Sequence, residues 1–418
     1  MRRLALPLAA VVMAALALQG ASAAELPEPP SPPVAAAGTP PAALLDALVA
    51  HSRLPLPLHA GRVHGPGAER WRQLAAAAQH VVLGEQHGNA GIGQLAQALW
   101  ADLATQGYTH AALETDPWVA SALETALRQG GLPAWRAFLA PRGGAQAVPF
   151  VGWQEEAVLA EAVLRTGSLW GLDQVFIGSA PWLLRDLLAQ PRAGLAPAGR
   201  ATLARWVREA EADPQWLGRV PLAALQAEAD RSAPRSPARV LLSALAGSRA
   251  IYGPFTGDGG EPWTANQQRE QAMKQRFVAL LRQAEAKRQR APKVMLKVGA
   301  YHGFRGASPT GVQGLGGFVT EFAAARHQAV LTVLLLCGPG SQGAVHGGSP
   351  QPCDGWLQDG DWRFLAPWVD AQQPTLFDLR TWRLRPKRWA HLPAEVQRVI
   401  GSYDLLVFVP NTPAATSL

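Results

Sequence analysis

The chain has 418 residues, 48% of them hydrophobic and 17% charged, with a formal charge of +7. That length admits one large domain or two smaller ones, and either can bury a sizeable core. The basic residues are scattered, apart from the runs at 287–290 and 383–388, and no DNA- or RNA-binding motif is present, which argues against a nucleic-acid partner.

Residues 1–23 read as a signal peptide. Arg2 and Arg3 precede an apolar stretch from Leu4 to Leu18, and Ala21-Ser22-Ala23 is a small-residue cleavage site. The apolar stretch falls short of the roughly 20 residues of a membrane span, and an uncleaved anchor is the alternative. No cysteine follows the signal as it would in a lipoprotein, and no later segment is long and apolar enough to span. The mature chain is expected to be periplasmic or secreted. Residues 24–42 are Pro/Ala-rich and read as an extended linker.

Residues 43–418 read as a single α/β domain with a mostly parallel central sheet flanked by helices. A short amphipathic helix covers 43–50, and the prolines of Leu54-Pro-Leu-Pro-Leu58 prevent its continuation. A strand at 81–83 leads into a helix at 91–106 that Gly107 stops, and a strand follows at 109–113. This order at short spacing predicts a parallel pair. Further helices are expected near 120–128 and 154–165, with a strand at 169–172. Residues 181–290 are mostly helical in pattern and read as an insertion or cap over the sheet. Strands are then expected at 294–298, 328–336, 375–379 and 404–409.

The chemistry gathers at strand ends. Val81-Val-Leu-Gly84-Glu85-Gln-His87-Gly88, Thr109-His-Ala-Ala-Leu-Glu114, Gly171-Leu-Asp173 and Lys293-Val-Met-Leu-Lys-Val-Gly-Ala-Tyr-His302-Gly are apolar runs that end in His, Glu or Asp beside turn residues. The carboxyl ends of parallel strands form the ligand crevice of an open α/β sheet, so these groups should converge. Glu85 and His87, at i and i+2 in extended chain, point to one side. Glu85, His87, Glu114 and His302 are the candidate catalytic residues. Asp173, Arg305 and Tyr301 are candidate substrate contacts. Their structural alternatives are a helix cap for Asp173, an ion pair for Arg305 and a core aromatic for Tyr301. Two mechanisms fit: a divalent ion (Mn, Co or Zn) held by Glu85, His87 and His302, or a metal-free general base. No GxSxG elbow, Walker A loop, dinucleotide fingerprint or HExxH helix is present. Cys337 and Cys353 flank a Gly/Ser/Gln/Pro loop, and a disulfide is expected in an oxidising compartment.

At Leu83-Gly-Glu-Gln-His-Gly88, at Glu114 after its strand and at Gly299-Ala-Tyr-His302, the chain resembles the superfamily of erythromycin esterases, haem-binding ChaN proteins, TraB-like proteins and Tiki proteases. Gly171-Leu-Asp173-Gln174, Arg269-Glu-Gln-Ala-Met273 and Tyr403-Asp-Leu-Leu-Val-Phe-Val-Pro410 are weaker echoes, and the resemblance runs from about 81 to 410. It implies an α/β core with helical additions and a site carried by Glu85, His87, Glu114 and His302. The members differ in chemistry: lactone hydrolysis, metal-dependent proteolysis or haem binding. One residue separates Glu85 from His87 here, where the esterases have two, and this leans toward the ChaN and Tiki branches. The expectation is an exported hydrolase of an ester or amide bond in a small molecule or peptide. The alternative is a non-catalytic haem- or metal-binding protein that uses Tyr301 or His302 as ligand. A peripheral contact of Arg383–Arg388, set between Trp382 and Trp389, with an anionic membrane or polymer is a further candidate partnership. Oligomeric state is not legible.

Overall fold

A computed structural model describes residues 42–257, 259–288, 291–344, 348–358 and 360–418. The expected signal peptide, and the expected linker up to residue 41, lie outside the described residues. The centre is an eight-stranded sheet made of β1 (Arg53–Pro55), β2 (His80–Glu85), β3 (Tyr108–Leu113), β4 (Ser168–Gly171), β5 (Lys293–Gly299), β6 (Val330–Cys337), β7 (Thr375–Asp378) and β8 (Leu405–Val409), in the spatial order β1-β7-β8-β6-β2-β5-β3-β4. The six strands from β8 to β4 run parallel, while β7 and β1 are antiparallel additions at one edge. The α/β sheet flanked by helices that the sequence predicts is therefore present.

One pairing differs from expectation. β2 and β3 are parallel but do not touch, because β5 lies between them and pairs with both. The local strand–helix–strand signal sets direction. Neighbourhood is decided by a strand that arrives nearly two hundred residues later.

The helices used below are α1 (Ala42–Ser52), α2 (Gly65–Ala77), α3 (Ala90–Thr105), α4 (Pro117–Leu139), α5 (Gln154–Leu164), α6 (Ala180–Ala189), α7 (Pro197–Ala212), α8 (Leu222–Arg231), α9 (Pro237–Tyr252), α10 (Pro262–Arg288), α11 (Leu315–Ala324) and α12 (Ala394–Ser402). Their ends follow local chemistry. The Asn89 side chain caps α3 by accepting from Ile92 N at 3.1 Å. Asp116 caps α4 by accepting from Trp118 N and Val119 N at 3.0 and 2.9 Å, with Pro117 in the first turn. α4 kinks at Gly130–Gly131, whose backbone leaves the helical region.

Side chains alternate between the two faces of the sheet, and helices cover both, so the parallel strands are predominantly apolar. Val81, Leu83 and Ala111 face a core shared with α3, α5 and the helices from α6 to α9. Val82, Ala112 and Leu296 face Met273, Phe277 and Leu281 of α10 and Leu315 and Val319 of α11. A third cluster, under β6–β8, joins Phe377 and Phe408 to Leu48 of α1, Val396 of α12 and Tyr403. Each fully buried Leu or Phe contributes about 1.5–3 kcal/mol, so α10 is fastened to the sheet by its apolar row although its remaining residues are largely polar.

Candidate active site

β2, β3 and β5 lie side by side and deliver their ends to one place. Glu85 closes β2, Glu114 follows β3, and His302 sits in the helical turn Ala300–Gly303 that follows β5. Glu114 is the hinge of the arrangement. Its Oε2 lies 3.4 Å from His87 Nε2 and its Oε1 lies 3.3 Å from His302 Nε2. Each imidazole is held on its other nitrogen by a second carboxylate: Glu85 Oε1 is 2.9 Å from His87 Nδ1, and Glu270 Oε1 is 2.5 Å from His302 Nδ1. The four residues singled out as catalytic candidates thus lie together, with Glu270 of α10 as a fifth member.

This packing needs a glycine at 299. A Cβ there would come within 2.6 Å of His87 Nε2 and 3.3 Å of Glu114 Oε2, and the Gly299 amide donates to Glu114 Oε2 at 2.5 Å. Gly84 serves the opposite face of β2, where a Cβ would collide with the Tyr403 hydroxyl. That hydroxyl donates to Ala300 O and so fixes the turn that carries His302. His87 is further oriented by Phe150, whose ring stacks on the imidazole at 3.9 Å and 18°.

Two cations, the buried Lys297 and the partly buried Arg269, neutralise the carboxylates. Lys297, in the middle of β5, reaches both Glu156 oxygens at 2.8 Å and Glu85 Oε1 at 2.5 Å. Arg269 of α10 reaches Glu114 Oε1 at 2.7 Å and both oxygens of Asp173, at 2.9 Å (Nε) and 2.5 Å (Nη2). Asp173 therefore holds the guanidinium that Glu114 shares. Arg276 donates to Leu172 O at 2.7 Å and also to Asp173 O, tying α10 to the end of β4.

The electrostatics follow from this pairing. For His87, burial alone would lower the pKa, but the Glu114 charge and the bonds to Glu114 and Glu85 outweigh it and push it up to about 9. For His302 burial again opposes, and Glu114 and Glu270 push it up to about 10. Burial would raise Glu114, but the His302 and His87 charges hold its carboxyl well below the usual range. Glu85 faces the same conflict and is lowered by Lys297 and His87. Glu156 goes the other way, raised by burial and by Glu85 against the pull of Lys297.

The remaining predicted residues are placed apart. Arg305 pairs with Asp404, with Nη1–Oδ1 at 3.1 Å and a second contact through Nη2, and Arg383 joins the same carboxylate. Tyr301 is half-buried in the aromatic cluster beneath α12, edge-on to Phe304 at 6.4 Å. Cys337 and Cys353 form a disulfide. It borders the site through Gln86, whose side chain donates to Cys353 O at 2.8 Å and accepts from Cys337 N at 3.1 Å.

Among the described residues, no group of three or more His, Cys, Asp or Glu side chains is arranged to hold a metal ion. The chemistry of the donors agrees. Each imidazole has a carboxylate oxygen beside both ring nitrogens, so a cation would have to displace one of these contacts to reach a nitrogen. Glu114 is paired with Arg269 and Glu85 with Lys297 through Oε1, while Glu85 Oε2 is buried without a hydrogen-bond partner among the described residues. His302 meets Glu114, while Glu85 meets Lys297 and His87.

The sequence assigns no site role to Lys297, Glu156 or Phe150, and marks Arg269 and Glu270 only as part of a weaker motif echo. Lys297 carries a readable signal, since a lone cation within Val-Met-Leu-Lys-Val implies a buried partner. Arg269 and Glu270 lie in a helix crowded with charge, and their only signal is the weaker echo Arg269-Glu-Gln-Ala-Met273 of the family resemblance.

No known family profile matches the chain, and no curated protein matches it in sequence. Solved structures do share its fold. A mutant erythromycin esterase EreC in its open conformation superposes with a TM-score of 0.57 at 14% identity, over 86% of this chain and 98% of that one. A succinoglycan biosynthesis protein gives 0.56 at 14% identity, over 90% and 98%. A Bacillus cereus protein gives 0.54 at 12% identity, over 90% and 99%. The fold expected from the strand-end motifs is thus the fold found, with an erythromycin esterase among the proteins that share it. At these identities the likeness is one of fold.

Proposed function

We propose that the protein hydrolyses an ester or amide bond by general acid–base catalysis, with His87 as base and then acid, His302 as hydrogen-bond donor to the oxyanion, and Glu114 between them. The observation that carries this reading is the placement of one carboxylate within 3.4 Å of two imidazole Nε2 atoms, each with its Nδ1 held by a separate carboxylate. A carboxylate on Nδ1 fixes the tautomer and stabilises the imidazolium, so Nε2 is the atom that exchanges protons. His87, with the lower pKa, gives up its proton first. Its Nε2 then takes a proton from water as the water oxygen bonds to the carbonyl carbon. The carbonyl π pair moves onto oxygen, where the His302 imidazolium donates a hydrogen bond. When the intermediate collapses, the bond to the leaving oxygen or nitrogen breaks and that atom takes the proton from His87. The products are a carboxylic acid and an alcohol or amine. The substrate is a small molecule or a peptide.

The same reading includes export. Residues 1–23 carry the pattern of a cleaved signal, and the Cys337–Cys353 disulfide supports an oxidising compartment.

The test is a panel of activated esters and peptide amides assayed with the wild type, His87→Ala and His302→Ala. A drop of about 100-fold or more in kcat for both variants is expected. Hydrolysis equal in all three proteins, or absent across the panel, overturns the reading.

A further inference from the structure

The segment that follows β7 holds arginines of two kinds. Arg380 and Arg383 are tied into the fold. Arg380 Nε lies 3.0 Å from Asp378 Oδ1, and Arg383 donates to Ile400 O and Tyr403 O at 3.1 and 2.9 Å as well as to Asp404. Arg385, Lys387 and Arg388 form no side-chain ion pair or hydrogen bond among the described residues. Between the two groups stands Leu384, 83% exposed, where the next most exposed large apolar side chain described is Val240 at 53%.

The exposed leucine is held in place. Arg385 N donates to Trp382 O at 2.8 Å, Ala390 N donates to Pro386 O at 2.9 Å, and Trp389 Nε1 donates to Trp382 O at 2.7 Å. Trp382 is fully buried, and its Nε1 donates to Ser52 Oγ of α1 at 2.8 Å. A hydrogen-bonded turn anchored on a buried tryptophan therefore presents one leucine ringed by unpaired cations. α1, which packs against this turn, adds the exposed Leu44 and a single exposed acid, Asp46. The turn lies at the end of the sheet away from the crevice. Asp378 pairs with Leu405, the first residue of β8, whereas the crevice is built at the last residues of the parallel strands.

We infer that Leu384, Arg385, Lys387 and Arg388 form a peripheral docking surface for a lipid bilayer bearing anionic headgroups. An apolar side chain projecting from a cluster of free cations matches the boundary between headgroup and acyl chain, where the leucine gains burial and the cations meet phosphates. Docking on this end leaves the crevice facing away from the bilayer. No helix of the described residues is long and apolar enough to cross a membrane, so the contact is a surface one.

The test is sedimentation of the whole chain with phosphatidylcholine vesicles that do or do not contain about a third phosphatidylglycerol. The wild type is expected to sediment with the anionic vesicles only and to be released by about 0.5 M NaCl. Leu384→Asp is expected to weaken partitioning about tenfold or more, and Arg385→Glu with Lys387→Glu about 25-fold or more. These positions are solvent-exposed, so an unchanged Tm reports an intact fold. Three results overturn the inference: equal binding by wild type and variants, equal binding to neutral vesicles, or retention on a soluble sulfated polysaccharide with no vesicle binding. Binding through the N-terminal apolar stretch would appear as the first of these.

Discussion

Glu114 gives one oxygen to each histidine, with Oε1 lying 3.3 Å from His302 Nε2 and Oε2 lying 3.4 Å from His87 Nε2. The two imidazoles are thereby coupled through a single buried charge, and a change at Glu114 reaches both.

Glu114→Gln removes the charge that raises both histidines while keeping the shape. Burial then acts with less opposition, and both pKa values fall toward or below the ordinary 6.5. The variant is expected to lose about 100-fold or more in kcat while the residual activity moves to lower pH. A full pH–rate profile of wild type and variant checks this. An unshifted profile would separate Glu114 from the proton-transfer groups.

The wild-type pH–rate profile should be alkaline. Hydrolysis needs His87 deprotonated and His302 protonated, so the rate rises through about pH 9 and falls beyond about pH 10. A plateau between pH 6 and 8, as an unperturbed histidine of pKa about 6.5 would give, contradicts this assignment of roles.

Fold stability should change across the same window. Both histidines have pKa values raised above their unfolded 6.5, so their contribution is complete below about pH 6.5 and is lost as pH rises through 9 and then 10. The upper bounds are about 3 kcal/mol for His87 and about 5 kcal/mol for His302. Glu85 and Glu114 are lowered, so their contribution is present above about pH 4.5 and is lost on acidification. Thermal denaturation between pH 7 and 10.5 should show Tm falling, with a shallower fall in His302→Gln.

Much of this site is legible in the sequence because it hangs on strands. Glu85, Glu114 and His302 each end an apolar run, and the rule that parallel strands open their carboxyl ends to ligands gathers them before any coordinates are known. Glu270 is only faintly legible, within the echo Arg269-Glu-Gln-Ala-Met273, for the opposite reason. It lies in a long, charge-rich helix, and only the row Met273–Phe277–Leu281 packing on β2, β3 and β5 turns it toward His302. The sheet order is likewise hidden, since β5 enters between β2 and β3 through contacts no local pattern encodes. Arg305 shows the limit of spacing. It lies three residues past His302, yet the chain turns it toward Asp404.

Lys297 answers to two carboxylates, Glu85 and Glu156, with all three side chains buried. Lys297→Met strands both and should destabilise the protein by about 3–5 kcal/mol. Adding Glu156→Gln should recover part of that loss, because one of the stranded charges goes with it. Chemical denaturation of the single and double variants measures the difference, and a simply additive double variant would contradict the coupling.

Chelation should leave hydrolysis untouched. Each imidazole Nε2 faces a Glu114 oxygen and Glu114 is paired with Arg269, so elemental analysis is expected to find no stoichiometric Mn, Co or Zn. Added haem is expected to give no coordinated Soret band, since Tyr301 is packed beneath α12 and His302 is engaged on both ring nitrogens. Activity restored by a divalent ion after dialysis against EDTA would reverse the first expectation, and a band lost on changing Tyr301 would reverse the second.

The late insertion of β5 has a cost in time. Until residues 293–299 are available, β2 and β3 have unsatisfied facing edges, and neither His302 nor Lys297 is in place to balance Glu85 and Glu114. A chain threaded from its N-terminus therefore passes through a long interval with three bare strand edges, both of β2 and one of β3, and with Glu85 lacking Lys297. Contacts of such large sequence separation slow folding and leave edges open to aggregation. The crevice cannot assemble before about residue 302 has been made, and a shorter nascent chain is expected to be inert and to depend on whatever shields its open edges.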